Sequence, residues 1–111
     1  MIDAPLWTPE PAAAAASSMA EFAHQATQRA GRELENYAEL HAWSVDSNEE
    51  FWRLVWDACG VIGERGERVL VTGERMQDAR WFPDARLNFA ENLLRDSGNP
   101  LAIVSLSLIH I

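Results

Sequence analysis

The strongest constraint on the fold is a segment over residues 47–62 whose apolar and aromatic residues predict a buried helix. One stripe of this helix comprises Phe51, Leu54, Val55, Ala58 and Ile62, and Trp52 and Trp56 form an adjacent ridge. A helix that is apolar around most of its girth is expected to be largely buried. At its start, Ser47 and Glu50 have the spacing of a capping box.

Composition bounds the remaining possibilities. The chain has 111 residues, which is one domain at most, and 48% hydrophobic with 23% charged residues is typical of a globular protein. Its net charge is −8, and all nine cationic side chains are arginine. The absence of lysine excludes a P-loop lysine, a Schiff-base lysine and a lysine general base. The acidic balance argues against a nucleic-acid partner.

The single cysteine and the N-terminal residues bear on location. Cys59 cannot form an internal disulfide, and we expect it to be a small buried apolar residue in a reducing compartment. Asp3 and Glu10 are not typical of a signal peptide. No run approaches the roughly 20 apolar residues that span a membrane. The sequence therefore predicts a cytoplasmic protein without a membrane partner.

Two helices are predicted before residue 47. Residues 1–10 are expected to form an extended arm, in which Trp7 docks against the remainder of the protein. A helix over 11–30, ended by Gly31, has an apolar face made of Met19, Phe22, Ala23 and Ala26. A shorter helix over 34–42 places Tyr37, Leu40 and His41 on one face.

Short strands and one more helix are predicted after residue 62. Residues 68–72 and 101–105 have the pattern of strands, the second of them buried. Trp81, Phe82 and Pro83 are expected to dock together in an irregular segment. A last helix over 85–96, capped by Asp84 and ended by Gly98, should turn five residues inward, namely Leu87, Phe89, Ala90, Leu93 and Leu94. The fold class predicted is mainly α with a few short strands.

Possible catalytic and metal-binding patterns are weak. Glu21 and His24 form a Glu-x-x-His pair, but di-iron bundles need that motif twice, so a solvated pair is favoured. His41 is interpreted as a packed histidine. The glycine-rich segment 60–66 follows a helix and carries glutamates, which disfavours a phosphate loop. Trp52 and Trp56 are more typical of a core than of a ligand cage. We therefore predict no catalytic, cofactor-binding or metal-binding residue.

A series of motifs carries a family resemblance. They are Pro5-Leu-Trp-Thr-Pro9, the segment 37–40, Trp43-Ser-Val45, Phe51-Trp52, Val55-Trp56 and the segment 81–94. In this order and spacing, over about residues 6–105, they resemble the N-terminal region of the acetoacetyl-CoA synthetase family. That family lies in the acyl-CoA synthetase branch of the adenylate-forming superfamily. The segment 87–94 is also similar to acetyl-CoA and propionyl-CoA synthetases, which remain alternatives.

The resemblance implies an enzyme that joins acetoacetate to CoA through an acyl-adenylate, using ATP and Mg²⁺. It implies that this chain is an N-terminal fragment of an α/β enzyme, with residues 1–36 an arm and Ala-rich helix and 37–96 the N-terminal helical domain. Residues 97–105 would be the first strand of a large domain, which is the partner this chain lacks. The family's phosphate loop and catalytic lysine have no counterpart here, so the fragment is expected to be inactive and marginally stable.

Two further interpretations concern the chain as a whole. Residues 106–111 resemble one reading frame of the mosaic-end adaptor used in sequencing libraries, and we hypothesise that they are not native. The functional alternative is a self-contained helical interaction module, in which the Trp52 and Trp56 ridge binds a partner helix or groove.

Overall fold

A computed structural model describes Pro5, residues 7–96, Gly98, Leu101, Ile103 and Val104. The elements in chain order are α1 Pro11–Ala15, α2 Ser18–Ala30, α3 Tyr37–Asp46, α4 Asn48–Ala58, β1 Leu70–Val71, β2 Arg80–Trp81 and α5 Phe89–Leu93. A 3₁₀ turn, Met76–Asp78, lies between the two strands. The described part of the chain is thus mainly helical with two short strands, which confirms the predicted secondary-structure class.

The single helix predicted over 11–30 is two helices, so that prediction is wrong. Ser17 adopts an extended conformation between α1 and α2, where its Oγ accepts a hydrogen bond from the backbone N–H of Ala20 at 3.2 Å. A serine that caps a new helix in this way offers the backbone an alternative to continuing the old one. The predicted end at Gly31 is confirmed, since its left-handed backbone (φ 67°) closes α2.

The second helix begins and ends later than predicted. Helix α3 starts at Tyr37 rather than Leu34, because the side chain of Asn36 accepts a hydrogen bond from the N–H of Glu39 at 3.1 Å and caps the helix there. Leu34 lies in the preceding loop, yet its side chain is buried in the core. The apolar character of Leu34 therefore reports its burial and not its secondary structure.

The capping box predicted at Ser47 is absent, and this prediction is also wrong. Ser47 has φ −122° and ψ 51° and makes no side-chain hydrogen bond to α4. Its N–H instead donates to the carbonyl of Trp43 at 2.8 Å, which closes the last turn of α3. Only this one residue separates α3 from α4. The predicted end of α4 at residue 62 is likewise too late, since the helix ends at Ala58.

Helices α2, α3 and α4 pack on one another around a small core. The buried residues of this core are Ala26, Leu34, Leu40, Trp43 and Leu54. Phe51 joins its edge, with ring centroids 5.8 Å from Phe22 and 6.2 Å from Trp43 in edge-to-face arrangements. The all-round burial predicted for α4 holds on one side only, because Leu54 is 2% exposed whereas Trp52 is 40% exposed.

The two strands form a small antiparallel hairpin beside α4. Leu70 pairs with Trp81 and Val71 with Arg80. The strand predicted over 68–72 therefore exists as two residues, and its neighbour Val69 is almost fully buried. Within the described residues, no helix is long and apolar enough to cross a membrane.

The prediction for the C-terminal helix is largely wrong. The helix expected over 85–96 is only α5, which is capped by Asn88 instead of Asp84. Leu101, Ile103 and Val104 are exposed and belong to no strand of this chain; the strand predicted over 101–105, as the first of a large domain that this chain lacks, stays a prediction. Residues 106–111, the hypothesised adaptor sequence, lie outside the described residues.

Candidate functional site

The residues considered for metal binding or catalysis do not converge. Glu21 accepts a hydrogen bond from Gln25 at 2.8 Å, while His24 Nε2 lies 3.0 Å from Gln28 Nε2, and all of these contacts are local to α2. No group of three or more His, Cys, Asp or Glu side chains that could hold a metal ion occurs in the described part of the chain.

His41 is exposed, which contradicts its interpretation as a packed histidine. Its ring stacks on that of Tyr37 at 6.2 Å, one turn earlier in α3. Both rings lie at the side of an apolar groove of about 260 Å³, which is lined by Met19, Phe22, Tyr37, Leu40, His41, Ser44 and Phe51. The predicted shared face of Tyr37, Leu40 and His41 is thus the wall of a groove between helices.

Ion pairs connect the end of α4 to α2 and to the glycine-rich loop over residues 60–66. Asp57 accepts hydrogen bonds from Arg29 at 2.7 Å and from Arg65 at 3.0 Å, which joins the end of α4 to α2 and to the loop. These partly exposed pairs position the loop more than they stabilise the fold. Cys59 is exposed rather than buried, so the packing role predicted for it is wrong.

The tryptophan ridge of α4 packs against the hairpin. Trp52 lies 5.6 Å from Trp81, and Trp56 lies 5.1 Å from Phe82, measured between ring centroids. Trp81 and Phe82 therefore dock as predicted, but Trp81 lies in β2 rather than in an irregular segment. An apolar pocket of about 300 Å³ remains between Trp52, Trp81 and Phe82. The ridge is only partly covered by its own chain.

Asp84 forms an ion pair instead of capping a helix. Its Oδ2 accepts a hydrogen bond from Nε of Arg68 at 2.8 Å, and its other oxygen binds Nη2 of the same guanidinium. This bidentate hydrogen bonding lowers the pKa of Asp84 below its ordinary value and raises the pKa of Arg68. The pair connects Arg68, two residues before β1, to the segment that leads into α5.

Three polar contacts, here called the polar clasp, hold the segment around α5 against the end of α4. Glu64 and Arg86 exchange two backbone hydrogen bonds of 2.8 Å each. Asn92 binds both backbone groups of Ile62, also at 2.8 Å. Arg95 donates to the carbonyls of residues 59 and 60, the otherwise unpartnered groups that follow α4.

The polar clasp leaves the apolar side chains of this segment in solvent. Phe89 is 75% exposed and Leu93 is 69% exposed, and these two residues lie one turn apart on α5. Leu87 and Leu94 are exposed as well. The prediction that these residues turn inward is wrong within this chain, because the side chains that contact the end of α4 are those of Asn92 and Arg95. We call Leu87, Phe89, Leu93 and Leu94 the α5 surface.

The family model for the acetyl-coenzyme A synthetase N-terminus matches residues 37–93, from the first residue of α3 to the last of α5. The chain belongs to this family. The match takes in α3, α4, the hairpin and α5, and it leaves out α1, α2, Leu94 and Arg95.

Relatives named acetoacetyl-CoA synthetase match as well. The acetoacetyl-coenzyme A synthetase of Rhizobium meliloti is 51% identical over 100 residues, which are 90% of this chain and 15% of that protein. The Danio rerio acetoacetyl-CoA synthetase is 46% identical over 67 residues, 59% of this chain and 10% of that protein. The malonamoyl-CoA synthetase of Penicillium aethiopicum is 38% identical over 80 residues, 70% of this chain and 11% of that protein. No solved structure matches significantly.

The polar clasp was not foreseen from the sequence. The apolar residues of the motif over 87–94 dominate its pattern, although Asn88 and Asn92 stand one helical turn apart within it. Asn88 caps α5 locally, whereas the hydrogen bonds of Asn92 to the backbone of Ile62 exist only because the loop after α4 lies beside α5. The signal that the sequence offered for these polar contacts is the pair of asparagines within an apolar motif.

Proposed function

We propose that this chain is the N-terminal part of a larger ATP-dependent acid–thiol ligase that forms acetoacetyl-CoA. The 51% identity to the Rhizobium meliloti acetoacetyl-coenzyme A synthetase over 100 residues carries the proposal. The chain covers 15% of that protein, so most of such an enzyme would lie outside this chain.

The exposed surface of the chain supports membership of a larger body. Among the described residues, the large apolar side chains of Phe89, Leu93 and Leu94 are 69–75% exposed. Such surface is costly to leave in water, and burying it against further protein would remove that cost.

The proposed reaction has two steps. A carboxylate oxygen of acetoacetate attacks the α-phosphorus of ATP, which releases pyrophosphate and forms acetoacetyl-adenylate. The sulfur of CoA then attacks the acyl carbon, which releases AMP and forms the thioester. The proposed reaction consumes ATP and CoA and implies a Mg²⁺ ion. Because the described residues include no three-ligand metal cluster and the chain has no lysine, we assign no step of this chemistry to it.

A related acid substrate is the second candidate. The Penicillium aethiopicum relative is named a malonamoyl-CoA synthetase, and 70% of this chain aligns with it. Acetoacetate and malonamate both carry a carboxylate with a second carbonyl two carbons away, so one N-terminal architecture is compatible with either acid. The alternative of a non-catalytic interaction module has less support, because the matched proteins are named as synthetases.

The decisive experiment is to extend the reading frame at its genomic locus and to express the whole protein. We expect AMP and a CoA thioester to form only when ATP, CoA and acetoacetate are all present. Malonamate, acetate and propionate, tested in parallel, distinguish the alternative ligases. A native stop codon after residue 111, or a full-length product with no acid-dependent AMP release, would overturn the proposal.

A further inference from the structure

We infer that residues 84–95, here called the strap, open from the helical core as one unit while α2, α3, α4 and the hairpin stay folded. The strap contains α5 and supplies one partner of each contact in the polar clasp. This inference depends only on contacts within the chain, so it goes beyond the proposed function and is independent of it.

The first observation is that the strap contributes nothing to the buried core. None of its residues is buried, and only Ala85 and Asn92 are half-buried. The buried residues of the described chain are Ala26, Leu34, Leu40, Trp43, Leu54 and Val69. Because Phe89 and Leu93 are in water already, opening the strap exposes little further apolar surface. The hydrophobic effect therefore opposes this opening only weakly.

The second observation is that polar contacts at the surface hold the strap. These contacts are the polar clasp and the ion pair of Asp84 with Arg68. The groups that take part in them are exposed, so water can replace each bond that breaks, and the net contribution of each bond is small. Local opening is expected where buried apolar contacts are few and backbone hydrogen bonds are exposed.

The segment directly before the strap is anchored differently. Trp81 and Phe82 pack on two tryptophans of α4, and Val69 beside them is 1% exposed. Opening the hairpin would expose this aromatic and aliphatic surface, which costs more than breaking hydrogen bonds that water replaces. The hairpin should therefore stay on α4 when the strap opens.

The strap should open as a unit because α5 is too short to persist alone. A helix of five residues has little stability of its own. Loss of the contact between Asn92 and Ile62 would remove the support in the middle of the strap. Arg86 and Arg95 would then hold only the two ends of a segment without regular structure. The contacts along the strap therefore support one another.

The test measures amide hydrogen exchange in the 111-residue chain at increasing urea concentrations. Three amides report on the strap, namely those of Ile62, Arg86 and Leu94. Leu54 reports on the core, and Phe82, which donates to Val69 at 2.7 Å, reports on the hairpin. The three strap amides should share one protection factor, lower than those of Leu54 and Phe82. It should also depend less on urea, because opening the strap exposes less surface than unfolding the core.

Asn92→Ala tests whether the strap opens as a whole. Protection at Arg86 and Leu94 should fall alike by about 10- to 100-fold, the factor for losing two hydrogen bonds of ordinary net strength. Alanine is a better helix former than asparagine, so a weaker helix propensity would not explain the loss. Protection at Leu54 and Phe82 should not change.

A second variant and a control complete the test. Arg95→Met, which removes the donors to the carbonyls after α4 but keeps an unbranched side chain, should also lower protection at Arg86. The matched control is Glu91→Ala, because Glu91 is exposed on the same helix and lies outside the polar clasp. This control should change protection at Arg86 far less than Asn92→Ala does.

Three results would overturn the inference. One is strap amides with the protection and urea dependence of Leu54, which would make strap and core a single unit. Another is a loss in Asn92→Ala that is confined to Leu94 and leaves Arg86 unchanged, because the contacts would then open separately. The third is a chain without protection at Leu54, in which the core does not stay folded. None of these results bears on the ligase assay, which decides the proposed function separately.

Discussion

Gly63 lies where the loop after α4 runs against the segment that leads into α5. Its φ is +153°, a region that L side chains rarely adopt. A Cβ built on Gly63 would lie 2.6 Å from Cβ of Leu87 and 2.8 Å from the carbonyl oxygen of Arg86. One of these neighbours is backbone, so Gly63→Ala has no flexible side-chain end to displace. The substitution should force apart the two segments that Glu64 and Arg86 join.

The magnitude follows from two contributions. The backbone conformation costs a non-glycine residue about 1–3 kcal/mol. Inserting a methyl group against fixed atoms costs a further amount of about 1–3 kcal/mol. Gly31 provides the control, because its φ is +67° but no atom lies within 4 Å of the position that a Cβ would take there. Gly31→Ala should therefore cost only the backbone contribution of about 1–2 kcal/mol.

Urea unfolding, monitored by circular dichroism, measures the loss of unfolding free energy in Gly63→Ala and in Gly31→Ala. Hydrogen exchange at the amides of Glu64 and Arg86 measures whether the contact between the segments opens locally. Gly63→Ala should lose more stability than Gly31→Ala and should accelerate exchange at both amides. Equal losses, with unchanged exchange at Glu64 and Arg86, would refute the close approach at Gly63.

Four further substitutions test the helix caps, the core and the ion pair. Ser17→Ala should lower the unfolding free energy by about 1 kcal/mol through loss of the α2 cap, and Ser47→Ala, which removes no capping bond, should lower it by less than half as much in the same urea titration. Leu54→Ala should cost about 2–5 kcal/mol because it leaves a cavity in the core, seen as a lower urea midpoint at an unchanged slope. The pKa of Asp84, measured by carboxyl ¹³C NMR, should lie below 3.8 and should return towards that value in Arg68→Gln. The stability contributed by this pair is present above the unfolded-state pKa of Asp84 and is lost as the pH falls through its depressed folded-state pKa. If Arg68→Gln left the pKa of Asp84 unchanged, the ion pair would be contradicted.

Helix positions were predictable and helix boundaries were not. The apolar spacing around Phe22 and Leu54 places both residues on helix faces that meet the core, as the structure has them. The boundaries depend on which polar side chain captures a backbone amide. Ser17 and Asn36 do so, whereas Ser47, which has an equally suitable sequence context, is used by the last turn of α3.

The α5 surface was likewise predictable in part from the sequence. The motif over 87–94 is recognisable from its residues, and the family it indicates is the one that the family model matches. Its apolar residues are expected from the sequence to face inward, because periodicity cannot say which side of a helix meets protein. That choice is made by Asn92 and Arg95, whose partners lie 30 and 35 or 36 residues earlier in the chain.

The sequence by itself determined the helical character, the aromatic ridge of α4 and the family. Each of these depends on local spacing or on motif identity, both of which are properties of the linear chain. The tertiary structure alone decided where each helix begins and ends, that Cys59 and His41 are exposed, and that Phe89 and Leu93 point away from their own core. These outcomes depend on which distant segments of the chain meet, because polar side chains from different segments compete for the same backbone hydrogen-bonding groups.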